Sequence, residues 1–147
     1  MGEIDTDSQI EDVLRRARTV AVLGAHTERS RAAYYVPDYL REQGYRVLPV
    51  NPQLTGQALW GEPVRGRLAD ITEQVDIVDV FRRAELLAGH LDDLLAMQPR
   101  PALVWLQLGI RSDAYARAVQ AAGIDVVQDR CTLADHRRLR IGRVAPR

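Results

Sequence analysis

Val20-Ala21-Val22-Leu23-Gly24-Ala25-His26 is a short apolar run that ends on a glycine and then turns polar. The pattern recurs four times: Val47-Leu48-Pro49-Val50-Asn51-Pro52, Ile77-Val78-Asp79-Val80-Phe81-Arg82, Leu103-Val104-Trp105-Leu106-Gln107-Leu108-Gly109 and Val126-Val127-Gln128-Asp129-Arg130-Cys131. Strands buried on both faces read as near-continuous apolar runs of this kind. Helical patterns separate them, and strands alternating with helices predict βαβ units around a parallel sheet. The expected fold is α/β: a Rossmann-like, doubly wound parallel sheet in three αβα layers, forming a single domain. Ligands of such sheets bind beyond the carboxyl ends of the strands. The polar ends of the five runs are therefore the candidate site.

Working outward, strands are expected at 19–23, 46–50, 76–81, 102–107 and 125–128, with a short edge strand near Ala58-Leu59-Trp60. A polar loop, His26 to Arg31, leads into a helix reaching about Gln43, with Pro37 in its first turn, where a missing N–H costs little. Gly44 ends that helix as a left-handed cap. Leu86, Leu87, Leu91, Leu94 and Leu95 mark one face of a further helix. Ser112 caps another that ends at Gly123, and residues 132–139 form a terminal helix. Ser8-Gln9-Ile10-Glu11 reads as a capping box opening an N-terminal helix. The layout is an N-terminal helix at 1–18, the binding domain at 19–140 and a tail at 141–147. The glycine turn after the first strand favours strand order 3-2-1-4-5 over 2-1-3-4-5.

A chain of 147 residues buries enough surface to hold a core without metal or disulfides. Twenty basic and twenty acidic residues cancel, which argues against a dedicated nucleic-acid binder and leaves a local basic patch open. Every basic residue is arginine. Without lysine there is no Schiff base and no P-loop lysine. One cysteine excludes an internal disulfide and fits a reducing compartment. The first residues are polar rather than signal-like, and no apolar stretch nears the roughly 20 residues of a membrane span. A cytoplasmic protein is expected.

Gly24 either makes a structural turn or lets the backbone approach a pyrophosphate at the next helix start. The full G-x-G-x-x-G fingerprint is missing, because position 26 is histidine and position 29 arginine. Arg31, nearest the helix start, is the preferred phosphate ligand of this loop; Arg29 reads as solvated. His26 reads as a surface residue or as a donor to an anion. Asn51-Pro52 is an ordinary turn starter, and it stands where an NAD enzyme carries an acid for the ribose. Phe81-Arg82-Arg83 sets an aromatic beside cations, which suits an adenine nucleotide, or Phe81 closes the core and the arginines cap the next element; function is preferred for Arg82 and left open for Arg83. Gln107 offers donors and an acceptor, and Gly109 either permits close approach or simply makes the strand-to-helix turn. Cys131, with Asp135 and His136 nearby, reads as a nucleophile or, preferably, as a small hydrophobe beside an Asp–Arg pair. Neither a metal set nor a catalytic group is expected.

In order and spacing these segments resemble the stand-alone bacterial CoA-binding domain family, across about residues 19–139. The fold is similar to the N-terminal CoA-binding domain of the succinyl-CoA synthetase α subunit. The resemblance implies coenzyme A or acyl-CoA as ligand, with its pyrophosphate at Gly24, Ala25 and His26 and with Arg31 close by. Asn51, Pro52, Phe81, Arg82, Gln107, Leu108 and Gly109 would flank the nucleotide and the pantetheine arm. Ligase activity is not implied, since the synthetase's phosphohistidine domain has no counterpart. A non-catalytic CoA-binding module is expected; the alternatives are an NAD(P)-dependent oxidoreductase and a regulatory protein sensing CoA, with Cys131 forming a mixed disulfide.

Overall fold

The computed structural model describes residues 2–146. Its elements are α1 (Asp7–Arg16), β1 (Thr19–Leu23), α2 (Ala32–Glu42), β2 (Arg46–Val50), β3 (Ala58–Leu59), β4 (Glu62–Pro63), β5 (Ile77–Val80), α3 (Leu91–Leu95), β6 (Leu103–Leu106), α4 (Asp113–Ala121), β7 (Asp125–Val127) and α5 (Thr132–Arg138). The five longer strands pair in the order β2-β1-β5-β6-β7, and every pairing is parallel.

Side chains alternate across the sheet with the period of two that strands impose. Ala21, Leu23, Val78, Val80, Val104 and Leu106 face one way and bury against Leu87, Leu94 and Val119. Val20, Val22, Ile77, Leu103 and Trp105 face the other way and bury against Ile10, Leu14 and Leu40. Helices α3 and α4 thus cover one face, and α1 and α2 the other. This is the doubly wound αβα sandwich of a Rossmann-like domain. Ile141 and Val144 continue the second face, so the segment after α5 closes the core.

Five details differ from the sequence reading. Counted by its five strands, the sheet order is 2-1-3-4-5. The expected edge strand is instead the hairpin β3–β4, which joins the sheet through a single parallel bridge between Val50 and Arg65. Pro63 offers no N–H, and Gly56 and Gly61, both at positive φ, turn the chain out of the extended form, so no longer ladder builds. The capping box is Thr6 with Gln9, not Ser8 with Glu11; both spacings satisfy the motif, and the earlier one starts the helix two residues sooner, at Asp7, which pairs with Arg138. Pro37 lies in the interior of α2, because Arg31 starts the helix and places the proline six residues on. Its ring deprives the Ala33 carbonyl of a helical donor. Finally, residues 84–90 form a 3-10 segment and only Leu91–Leu95 is α-helical, although Leu87 and Leu94 bury as the spacing requires.

Candidate functional site

The turns leaving β1, β2, β5 and β6 surround a cleft of about 870 Å³. Of the residues singled out in the sequence, Gly24, His26, Arg31, Asn51, Phe81, Arg82, Gln107, Leu108 and Gly109 line it. Ala25 lies fully buried behind the wall, and Pro52 opens the adjacent 3-10 turn.

Gly24 has φ +90°, a conformation that costs other residues strain. The space above it is filled: a Cβ there would come 2.9 Å from the Phe81 carbonyl oxygen and 3.1 Å from Arg82 Cδ. The turn after β1 therefore packs directly on the turn after β5.

Helix α2 opens onto the cleft. Arg31 is its N-cap, makes no side-chain cap, and is followed by no acid in the first turn. The Tyr34 and Tyr35 N–H groups donate to the Arg31 carbonyl. Among the described residues nothing accepts from the N–H groups of Ala32 and Ala33, which both line the cleft. Helices α1 and α4, in contrast, carry a capping threonine or serine and an aspartate in the first turn. The positive end of the α2 dipole is left uncompensated where an anion would sit.

Three arginines line the same cleft. Arg31 pairs with Glu28 at 2.9 Å, both side chains being more than half exposed, and that guanidinium holds the Glu28 carboxyl below its usual range. Arg82 has a buried Nε without a partner. Arg83 is exposed beside Glu85. His26 Nδ1 accepts from the Glu28 N–H at 3.0 Å, so a neutral ring carries its proton on Nε2, as a donor.

Asn51 has a fixed structural task. Its Nδ2 donates to the Ala25 carbonyl at 2.9 Å and its Oδ1 accepts from the Gln53 N–H at 2.9 Å. It clamps the β1 and β2 turns together and adds no charge to the cleft. Gln107 is likewise held from below: Nε2 donates to Asp79 Oδ1 at 2.7 Å and to Thr132 Oγ1 at 2.8 Å. Asp79 is fully buried, and burial pushes its carboxyl up to about 7 against the pull of the hydrogen bonds it accepts from Gln107 and from Thr132 Oγ1. Gly109, with φ +87°, donates its N–H to Asp129 Oδ1 at 2.7 Å, which pins the β6 turn to the β7 turn.

Leu108 (71% exposed) and Tyr35 (48%) are the exposed large hydrophobic residues of the described chain, and both line this cleft. Cys131 also lines it; burial raises its thiol pKa. The Asp–Arg pair beside it joins Arg130 to Asp135 at 2.7 Å. Sequence reasoning passed over Tyr35, the two α2 amides and the Asp79–Thr132 contact. Asp79 did carry a signal, as a carboxylate inside a wholly apolar strand. Among the described residues no cluster of three potential metal ligands occurs, and no helix is long and apolar enough to cross a membrane.

The model of the CoA binding domain family matches residues 18–137. The uncharacterized protein YneT of Bacillus subtilis (strain 168) is 30% identical over 129 residues, covering 88% of this chain and 93% of its own. A solved structure from Thermus thermophilus is 52% identical, with a TM-score of 0.87 over 92% of this chain and 99% of that one. A hypothetical protein from Pyrococcus horikoshii OT3 superposes with a TM-score of 0.83 at 29% identity, covering 92% of each chain.

Proposed function

This chain belongs to the CoA binding domain family, and from that premise we propose that it is a CoA- or acyl-CoA-binding module without catalytic machinery of its own. The observation that carries the reading is the open N-terminus of α2. Two unpartnered amides and an uncapped dipole face a cleft flanked by Arg31, Arg82 and Arg83. A ligand rich in phosphate suits this end. Exposed Leu108 and Tyr35 suit the less polar remainder of such a ligand, since pockets combine apolar walls with a few convergent polar groups.

An NAD(P) reading fares worse. The position after β2 is Asn51, whose side chain is engaged on Ala25 and Gln53, so no carboxylate receives the ribose hydroxyls. The raised thiol of Cys131 does not favour a nucleophile. The single cysteine supports a reducing compartment such as the cytoplasm. Calorimetric titration with CoA, acetyl-CoA and NADH side by side tests the proposal. Saturable binding of the CoA compounds and none of NADH is expected; tight NADH binding without CoA would overturn it.

A further inference from the structure

Asp79 is at first sight a poor choice for a central strand. In the sheet register it sits between Val22 of β1 and Trp105 of β6, it is fully buried, and no cation pairs with it among the described residues. The titratable group whose ionisation it influences is the Cys131 thiol, at the start of α5. Burying a carboxylate without a counter-ion costs several kcal/mol or forces it to hold its proton. An apolar residue would serve stability better, so the carboxylate calls for a task at the site.

The hydrogen bonds supply one. Asp79 Oδ1 accepts from Gln107 Nε2 and Asp79 Oδ2 accepts from Thr132 Oγ1 at 3.1 Å, while the second Gln107 amide hydrogen goes to Thr132 Oγ1. All three side chains are buried. Both amide hydrogens of Gln107 are thus occupied below the cleft floor. Its Oε1 has no donor among the described residues, and Gln107 lines the cleft. The network decides which end of the carboxamide the ligand meets.

Resting on the CoA reading above, we propose that Asp79 is a positioning residue that holds Gln107 with Oε1 toward the cleft, so that this part of the site selects a ligand arm bearing N–H or O–H donors. Within CoA the amides and hydroxyl of the pantetheine arm are such donors, as are the adenine amino group and the ribose hydroxyl; with the phosphates at the α2 end, the pantetheine arm is assigned to Gln107. When Asp79 is protonated, one of its oxygens becomes a donor. The network then no longer favours a single orientation of Gln107. A carboxyl raised to about 7 by burial puts that change between pH 8 and 6.

The test compares binding of CoA and of its nucleotide half, 3′-phospho-ADP, by wild type and Asp79→Asn from pH 6 to 8. Asparagine keeps the shape but turns one of the two acceptors into a donor, so it can no longer accept from both Gln107 and Thr132. At pH 8 the variant is expected to bind CoA about tenfold more weakly, the effect of one hydrogen bond, and 3′-phospho-ADP as wild type does. Wild type should lose CoA affinity toward pH 6 more steeply than the variant, whose profile follows only the ligand's phosphates. Thr132→Val should weaken CoA in the same direction and Thr132→Ser restore it, which keeps the test open if Asp79→Asn fails to fold. CoA binding by Asp79→Asn within twofold of wild type, or equal weakening of CoA and 3′-phospho-ADP, overturns the positioning role. Failure of wild type to bind CoA at all overturns the CoA reading itself.

Discussion

The side-chain stem of Arg82 lies across Gly24, so close that a methyl group on Gly24 would come 3.1 Å from Arg82 Cδ. The two residues lie at the carboxyl ends of adjacent parallel strands, β1 and β5. Their contact joins the glycine turn to the cation that the site presents. The absence of a side chain at 24 thus has two uses: it permits the positive φ, and it admits Arg82.

Gly24→Ala tests this contact. A non-glycine residue in a sparsely populated backbone region costs about 1–3 kcal/mol, and the added carbon would press on the Phe81 carbonyl at 2.9 Å, a backbone atom that cannot swing away. Urea denaturation should show a loss of stability in that range, with CoA affinity lowered as well. A variant as stable as wild type would mean that the β1 and β5 turns move apart freely.

Arg31→Ala separates binding from stability. Its ion pair with Glu28 is mostly exposed, and such pairs contribute about 0–1 kcal/mol. The fold should therefore be nearly untouched. A charge-assisted hydrogen bond to phosphate contributes about 1.5–3 kcal/mol, so CoA binding should weaken by that amount and become less dependent on salt. Calorimetry at two ionic strengths checks both, and unchanged affinity would remove Arg31 from the phosphate end.

What could be read from sequence follows from what is locally encoded. The five apolar runs marked the buried strands because burial on both faces leaves a continuous pattern. Their polar ends marked the cleft because topology brings those ends to one edge. The roles of Asn51 and Gln107 were not legible. Both look like free polar groups in the sequence, yet the partners that occupy them, Ala25 and Asp79 with Thr132, lie 25 to 28 positions away. Non-local hydrogen bonds leave no periodicity to detect. The same holds for α2: Ser30 stands one residue before its N-cap, yet its hydroxyl donates to Glu28 and Arg31 is left as an uncapped N-cap, which gains meaning only when the cleft is seen beside it.

The stability of the protein should carry the mark of Asp79. Its carboxyl titrates near 7 in the folded protein against an ordinary value of 3.8. Between those two values the folded state holds a proton that the unfolded chain has released, so stability falls as pH rises from about 4 to about 7. Asp79→Asn has no such proton. Denaturation midpoints measured across this window should converge or cross for the two proteins, with wild type gaining relative to the variant as pH is lowered. Parallel profiles would show that Asp79 is already ionised throughout.

Cys131 reports on occupancy of the cleft. It lines the same cavity as Gln107 and Leu108, and burial raises its thiol pKa. The thiolate is the reactive form, so alkylation at neutral pH should be slower than that of a free thiol such as glutathione. Mixed-disulfide formation with CoA disulfide should be slow for the same reason. A ligand filling the cleft should slow alkylation further. Mass spectrometry of iodoacetamide-treated protein, with and without saturating CoA, measures both rates on the same sample. Protection by CoA but not by 3′-phospho-ADP would put the pantetheine arm over Cys131, next to Gln107. Equal protection by both would assign that region to the nucleotide, and reaction as fast as glutathione would mean that the α5 start opens in solution.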